Sequence, residues 1–222
     1  MKALGWKQIV LALASFTFVA ACLILIKVMP LDAVSEMIHG SMGTASGWNE
    51  TLKQATPLLI AGLAVYVALR AGLFNIGAEG QLMMGALCAT AVALNVTGIL
   101  GILLAIVAGT IAGALWAWPA GLIKAYRNGH EVITTIMLNN VAAFLSAWVI
   151  AGPLKSSIGL TTSTERVSES VWMPSLISDP PFHLNLVVVL AVVLVGVTAW
   201  WMRRTVAGFE LSATGANPKA AA

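Results

Sequence analysis

The sequence predicts an all-α fold: a polytopic transmembrane helix bundle of about six spans, with its N-terminus on the cytoplasmic side. Three observations predict it. The first is the scarcity of charge, since 59% of the 222 residues are apolar, 9% are charged, and the mean hydropathy is +0.91. A soluble domain of this length would carry about 25% charged residues, roughly 55 in all. Here there are 12 basic and 9 acidic residues, too few to cover a water-facing surface. A soluble enzyme, a disordered linker and a nucleic-acid binder are therefore all disfavoured, and the net charge of +3 comes without a basic cluster. The second observation is a set of uncharged stretches of spanning length. The third is an uneven division of Lys and Arg among the segments that connect them.

The elements follow in chain order. A spanning helix needs about 20 predominantly apolar residues. The uncharged run Ile9 to Ile26, bounded by Lys7 and Lys27, predicts a helix near 9–28. Ala55 to Leu69, ended by Arg70, predicts a second near 56–73. Gly80 to Ile123 is too long for one span, and Asn95-Val96-Thr97-Gly98 offers a tight turn, so helices are expected near 80–94 and 99–119. Val132 to Leu154 and Leu184 to Met202 predict the last two, near 132–151 and 184–202.

With the N-terminus inside, the inner side holds Lys2, Lys7, Arg70, Lys124, Arg127, Arg203, Arg204 and Lys219. The outer side holds Lys27, Lys53, Lys155 and Arg166. Eight against four is the cytoplasmic excess of membrane proteins, and six crossings close that arithmetic with both termini inside. Lys2 and Lys7 before an apolar run also describe a signal peptide, and Val19-Ala20-Ala21-Cys22 resembles a lipoprotein cleavage site. Leu23-Ile24-Leu25-Ile26 continues the run past Cys22, so an uncleaved anchor helix is the expectation. Of the long outer segments, 30–54 should include one short surface helix. Residues 152–183 are rich in Ser, Thr and Pro, and Trp172 there suits an interfacial anchor.

Polar groups inside a span are costly and mark candidate function. The densest set runs from Arg70 through Asn75 and Glu79 to Gln81, with glycines between them. It reads as a helix break lining a pathway, or as an ordinary cytoplasmic turn in which Arg70 and Glu79 are solvated or paired. Asn139 and Asn140 fall mid-span, and adjacent side chains on a helix point about 100° apart. At least one must face protein, where interhelical hydrogen bonding is its ordinary role. Glu131 suits the first turn of its helix, and His130 beside it is expected at the interface. Gly101, Ala105 and Gly109 recur every four residues, as do Ala108 and Ala112, a small-residue surface for close helix packing.

No catalytic set emerges. A phosphate-binding glycine loop, His-Glu-x-x-His and Gly-x-Ser-x-Gly are all absent from the sequence. Cys22 and Cys88 lie in apolar runs and imply neither a disulfide framework nor a metal site. The chain is not expected to be an enzyme, and nothing in it calls for a cofactor.

Three motifs add a resemblance. Thr56-Pro57-Leu58-Leu59-Ile60-Ala61-Gly62-Leu63-Ala64 and Arg70-Ala71-Gly72-Leu73-Phe74-Asn75-Ile76-Gly77-Ala78-Glu79-Gly80-Gln81 together resemble a signature of bacterial ABC-transporter permeases. The subgroup is that of simple-sugar and nucleoside uptake, within the broader branched-chain amino acid and ribose-type permeases. Gly129-His130-Glu131-Val132-Ile133-Thr134-Thr135-Ile136-Met137-Leu138-Asn139-Asn140 is similar to the second motif. Thr205 to Ala221, with Gly208, Gly215, Asn217, Pro218 and Ala220, is similar to the third, the loop that contacts the ATPase; members often carry Arg where this chain has Ser212.

The resemblance implies a single permease domain over 1–222, with 203–222 as cytoplasmic coupling loop. It implies an ATP-binding cassette ATPase, a second permease subunit, an extracytoplasmic substrate-binding protein and the cytoplasmic membrane's lipid bilayer as partners, and no nucleic acid. Asn75, Glu79, Gln81, Asn139 and Asn140 would line the pathway, and Thr205, Gly208, Gly215, Asn217, Pro218 and Ala220 would couple to the ATPase. Pro218 suits a first helical turn, and Gly208 and Gly215 are expected to punctuate the ends of a short helix. Because the third motif normally leads into further spans, the full product is expected to continue beyond Ala222. An ion-coupled secondary transporter and a non-transporting membrane anchor are the rival classes.

Overall fold

A computed structural model describes residues 5–127, 129–157, 162–177 and 184–217. Two compact units divide the chain, one over Met1–Gln54 and Ile177–His183, the other over Ala55–Leu176 and Leu184–Ala222.

In the first unit, α1 (Trp6–Leu25) runs straight through Cys22. It ends with Lys27 in the left-handed region at φ 61°. There the Lys27 and Val28 N–H groups bond back to the Ile24 and Leu23 carbonyls, both at 2.9 Å, the paired closure that satisfies a helix end. The expected surface helix is α2 (Pro30–Ile38). Pro30 at its first position is already set at a helical φ, and Asp32 faces the positive end of the helix dipole. A π-helical turn, His39–Gly43, follows.

The helix α3 (Ala45–Arg70) passes from the first unit into the second. It starts well before the expected residue 56, because Thr44 caps it: the Gly47 N–H donates to Thr44 Oγ1 at 3.0 Å. Polar turns with an exposed Lys53–Glu50 pair then extend the helix beyond its apolar run.

The second unit holds α4 (Ala78–Asn95), α5 (Gly98–Arg127), α6 (Glu131–Ala151), α7 (Leu186–Arg204) and α8 (Val206–Ala216). The break between α4 and α5 falls at the expected Asn95–Gly98, and Gly98 takes φ +71°. These two helices pack along their length. A methyl group at Gly85 would lie 2.9 Å from the Gly109 carbonyl, and one at Gly113 would lie 3.2 Å from the Gln81 carbonyl. The small-residue face predicted for this span is thus a real interface at Gly109, and Gly113 extends it. α5 runs past the expected residue 119, absorbing Pro119 in its interior and ending on Lys124 and Arg127. From the outer segment, a 3-10 turn at Glu169–Val171 buries Val171 beside Gly101. Ser170 Oγ accepts the Gly98 N–H at 3.3 Å. Strands β1 (Ser175–Ile177) and β2 (Leu184–Asn185) form a two-stranded sheet before α7.

Five described helices, α1, α3, α5, α6 and α7, are long and apolar enough to cross a membrane. α4, the sixth expected span, falls outside that set because Glu79, Gln81 and Asn95 sit among its 18 residues.

Candidate functional site

The turn between α3 and α4 organises the site. The α3 helix ends on Gly72 at φ +75°, a conformation that favours glycine. Gly72 N–H bonds to the Leu69 carbonyl at 3.0 Å and Leu73 N–H to that of Ala68 at 2.9 Å. Four residues on, α4 begins with Gly77 at its N-cap. A glycine has no side chain to accept the helix's free N–H groups. The missing acceptor comes from α6: Asn139 Oδ1 accepts the Gly80 N–H at 2.9 Å, while Asn139 Nδ2 donates to the Ile76 carbonyl at 3.0 Å. One amide thus closes both sides of the turn. Gly80 leaves no room for a side chain, since a methyl there would lie 2.8 Å from Asn139 Oδ1 and 3.2 Å from Trp116 Nε1. That indole donates to the Leu138 carbonyl at 3.3 Å, tying α5 to α6.

Beside this turn lies a cavity of about 210 Å³. Asn75, Gln81, Glu131 and Thr135 give it a polar side, and Leu73, Phe74, Ala117 and Ala120 an apolar one. The Asn75 and Gln81 amides face each other, with Gln81 Nε2 donating to Asn75 Oδ1 at 3.3 Å. Asn75 Oδ1 also accepts the Gly77 N–H at 2.9 Å. Thr135 Oγ1 donates to the Glu131 carbonyl at 2.8 Å. The Glu131 carboxylate lies 2.9 Å from Lys124 Nζ, which bridges the end of α5 to the start of α6. Such a lining offers donors and acceptors without an uncompensated charge.

Of the expected pathway residues, the structure brings Asn75 and Gln81 to the cavity and puts Asn139 behind them. Asn140 is exposed and donates to Ile136 of its own helix at 3.1 Å. Glu79 is exposed in the first turn of α4 and does not line the cavity. The Arg70–Glu79 pairing does not form: the Arg70 guanidinium turns instead to α8, donating from Nη2 to Ser212 Oγ at 3.3 Å. Thr135, Trp116 and the Lys124–Glu131 pair escaped the sequence reading. Charge spacing across the Arg127–Glu131 turn is the one signal that bore on the last.

The helix α8 is inward-facing where its glycines are. Thr205 caps it, accepting the Gly208 N–H at 3.1 Å and donating to the Trp201 carbonyl at 2.7 Å. Gly208 is buried, and a methyl there would meet the Trp201 carbonyl oxygen and lie 2.6 Å from Met202 Cα. Gly215 is pressed against the α3–α4 turn: a methyl would meet the Arg70 carbonyl oxygen and lie 2.7 Å from the Gly72 nitrogen. Gly208 lies in the first turn of the helix and Gly215 in its last, while the caps are Thr205 and Asn217. Both also mark close approach. The opposite face carries Val206 and Phe209, 73% and 70% exposed, with Glu210. Pro218 and Ala220 lie outside the described residues.

Residues 48–222 match the family described as the permease component of the branched-chain amino acid transport system. The chain belongs to that family. It is 37% identical to a glucose ABC transporter permease protein of Haloferax volcanii, over 94% of this chain and 58% of the relative. It is 34% identical to a guanosine ABC transporter permease protein of Bacillus subtilis, over 84% of this chain and 54% of the relative. A nucleoside ABC transporter permease protein of Lactococcus lactis shares 30% identity over 86% of this chain and 55% of its own length. The chain thus spans little more than half the length of these permeases. No solved structure matches it. The family match covers the α3–α4 turn, the start of α6 and α8, the three regions that the site joins.

Proposed function

We propose that this chain is the membrane-spanning permease subunit of an ATP-binding cassette importer that carries a nucleoside or simple sugar across the cytoplasmic membrane. The observation that carries the proposal is its 30–37% identity to permeases named for glucose, guanosine and nucleosides. In this reading α4 is the sixth span, paired with α5, and both the N-terminus and α8 lie inside. An ATPase would meet the exposed Val206–Phe209–Glu210 face of α8, while Thr205, Gly208 and Gly215 seat the helix from within. A second permease subunit and an extracytoplasmic binding protein would complete the complex.

Asn75 and Gln81 would offer replacement hydrogen bonds to a neutral, hydroxyl-rich solute as it loses water. Amides do so without the desolvation cost of a fixed charge. Asn139 would hold the wall in place, and Glu79 and Asn140 lie away from the cavity lining. In the complete transporter, Asn75→Leu or Gln81→Leu should lower uptake about tenfold, the size of one lost hydrogen bond to a desolvated group. Basal ATP hydrolysis and membrane abundance should stay near wild type. Normal uptake by both variants at matched abundance would remove these amides from the pathway.

A further inference from the structure

We propose that Gly215 and Ser212 are positioning residues for transport: their contact with the Arg70–Gly72 backbone is the joint through which α8 moves the cavity wall. The inference rests on the importer reading above and adds to it the place where motion enters. Gly215 meets the turn main chain to main chain, since even a methyl at Gly215 would reach the Arg70 carbonyl oxygen and lie within 2.8 Å of the Ala71 carbonyl carbon. Nothing soft lies between them to absorb a displacement. The Arg70–Ser212 hydrogen bond at 3.3 Å ties the two elements in the same place. Ser212 Oγ in turn donates to the Gly208 carbonyl at 3.0 Å, so the bond reaches the body of α8.

The turn is short and held at its far end. Asn139 fixes Ile76 and Gly80, so residues 72–75 lie between α8 on one side and α6 on the other. Asn75 N–H bonds back to the Leu73 carbonyl at 3.1 Å, which makes the segment compact. A shift of α8 at Gly72 with Ile76 held must therefore turn Asn75, and with it the Asn75–Gln81 pair at the cavity.

The test uses the complete transporter with its ATPase, with Cys22 and Cys88 replaced and an Ala68→Cys reporter in the cavity lining. The rate of labelling by a small maleimide is read with and without ATP and vanadate, beside uptake per ATP hydrolysed. The parent should show a nucleotide-dependent change of about tenfold, and Gly215→Ala should lose most of it together with uptake per ATP. Gly196→Ala, where a methyl enters open space, should change neither. A Gly215→Ala variant that keeps both at matched abundance overturns the joint, and so does an equal loss in Gly196→Ala. If Gly215→Ala does not accumulate, Ser212→Ala decides: it should lower uptake per ATP several-fold, and an unchanged ratio overturns the proposal. A parent whose uptake does not require ATP refutes the importer reading itself and takes the joint with it, whereas ATP-driven uptake without any labelling response overturns the joint alone.

Discussion

Asn139 shows how one side chain can fix a local fold. Its amide meets a free N–H at the start of α4 and a free carbonyl in the turn before it, 2.9 and 3.0 Å away, where the N-cap glycine supplies neither. Removing it takes the partner from a part-buried N–H at Gly80 and from the Ile76 carbonyl. Asn139→Leu should lower stability by about 1–2 kcal/mol, the upper range for hydrogen bonds between membrane helices. Asn140→Leu should cost much less, because its amide returns to its own helix. Thermal unfolding in detergent of the two variants would separate them, and equal losses would contradict the assignment. From sequence, the adjacent pair implied that one of the two must face protein. Which one does so depends on the rotation of α6 against α4, and that is a property of packing. The same holds at Ser212: its motif position was legible, but its partner Arg70 lies 142 residues away.

At the scale of elements, the apolar runs located the helices and the Asn95–Gly98 break, because burial of a spanning segment needs an uninterrupted apolar run. The ends were less legible. Thr44 extends α3 through polar turns that hydropathy alone assigns to a loop, and Pro119 does not stop α5. The glycines of the third motif suggested helix ends, and Gly208 and Gly215 lie in the first and last turns of α8, but their close contacts were not legible.

The α4–α5 hairpin gives a test of sign. An alanine at Gly109 would place its Cβ 3.0 Å from the Gly85 carbonyl oxygen and 3.3 Å from Ala89 Cβ, so the backbones must part. Gly109→Ala should destabilise by about 1–3 kcal/mol, as overpacking does. Gly62→Ala on α3 meets nothing within 4 Å. It should be neutral or stabilise by up to about 1 kcal/mol through helix propensity. Gly109→Ala should therefore lower the detergent melting temperature while Gly62→Ala leaves it unchanged or raises it, and a similar lowering by both would contradict the packing described.

At the scale of the whole molecule, the scarcity of charge and the exposed apolar surface belong together. No residue of α1 is buried, and large side chains such as Phe16, Phe144 and Trp200 are exposed on three different helices. In a membrane protein lipid and neighbouring subunits cover such surfaces, so the sequence could declare the environment without declaring the partners. The family was legible through three motifs, and the family match over 48–222 bears it out. The cavity was not, because it is made where the α3–α4 turn, α5 and α6 meet.

On the proposed importer reading, α8 delivers ATP-driven motion to the cavity, and neutral solutes meet its Asn75–Gln81 side. The most direct measurement is uptake of radiolabelled nucleoside and glucose into proteoliposomes holding the complete transporter with its ATPase and binding protein. Uptake of one of these solutes should require ATP and persist after proton and sodium gradients are collapsed. Uptake that follows an ion gradient and continues without ATP would contradict it.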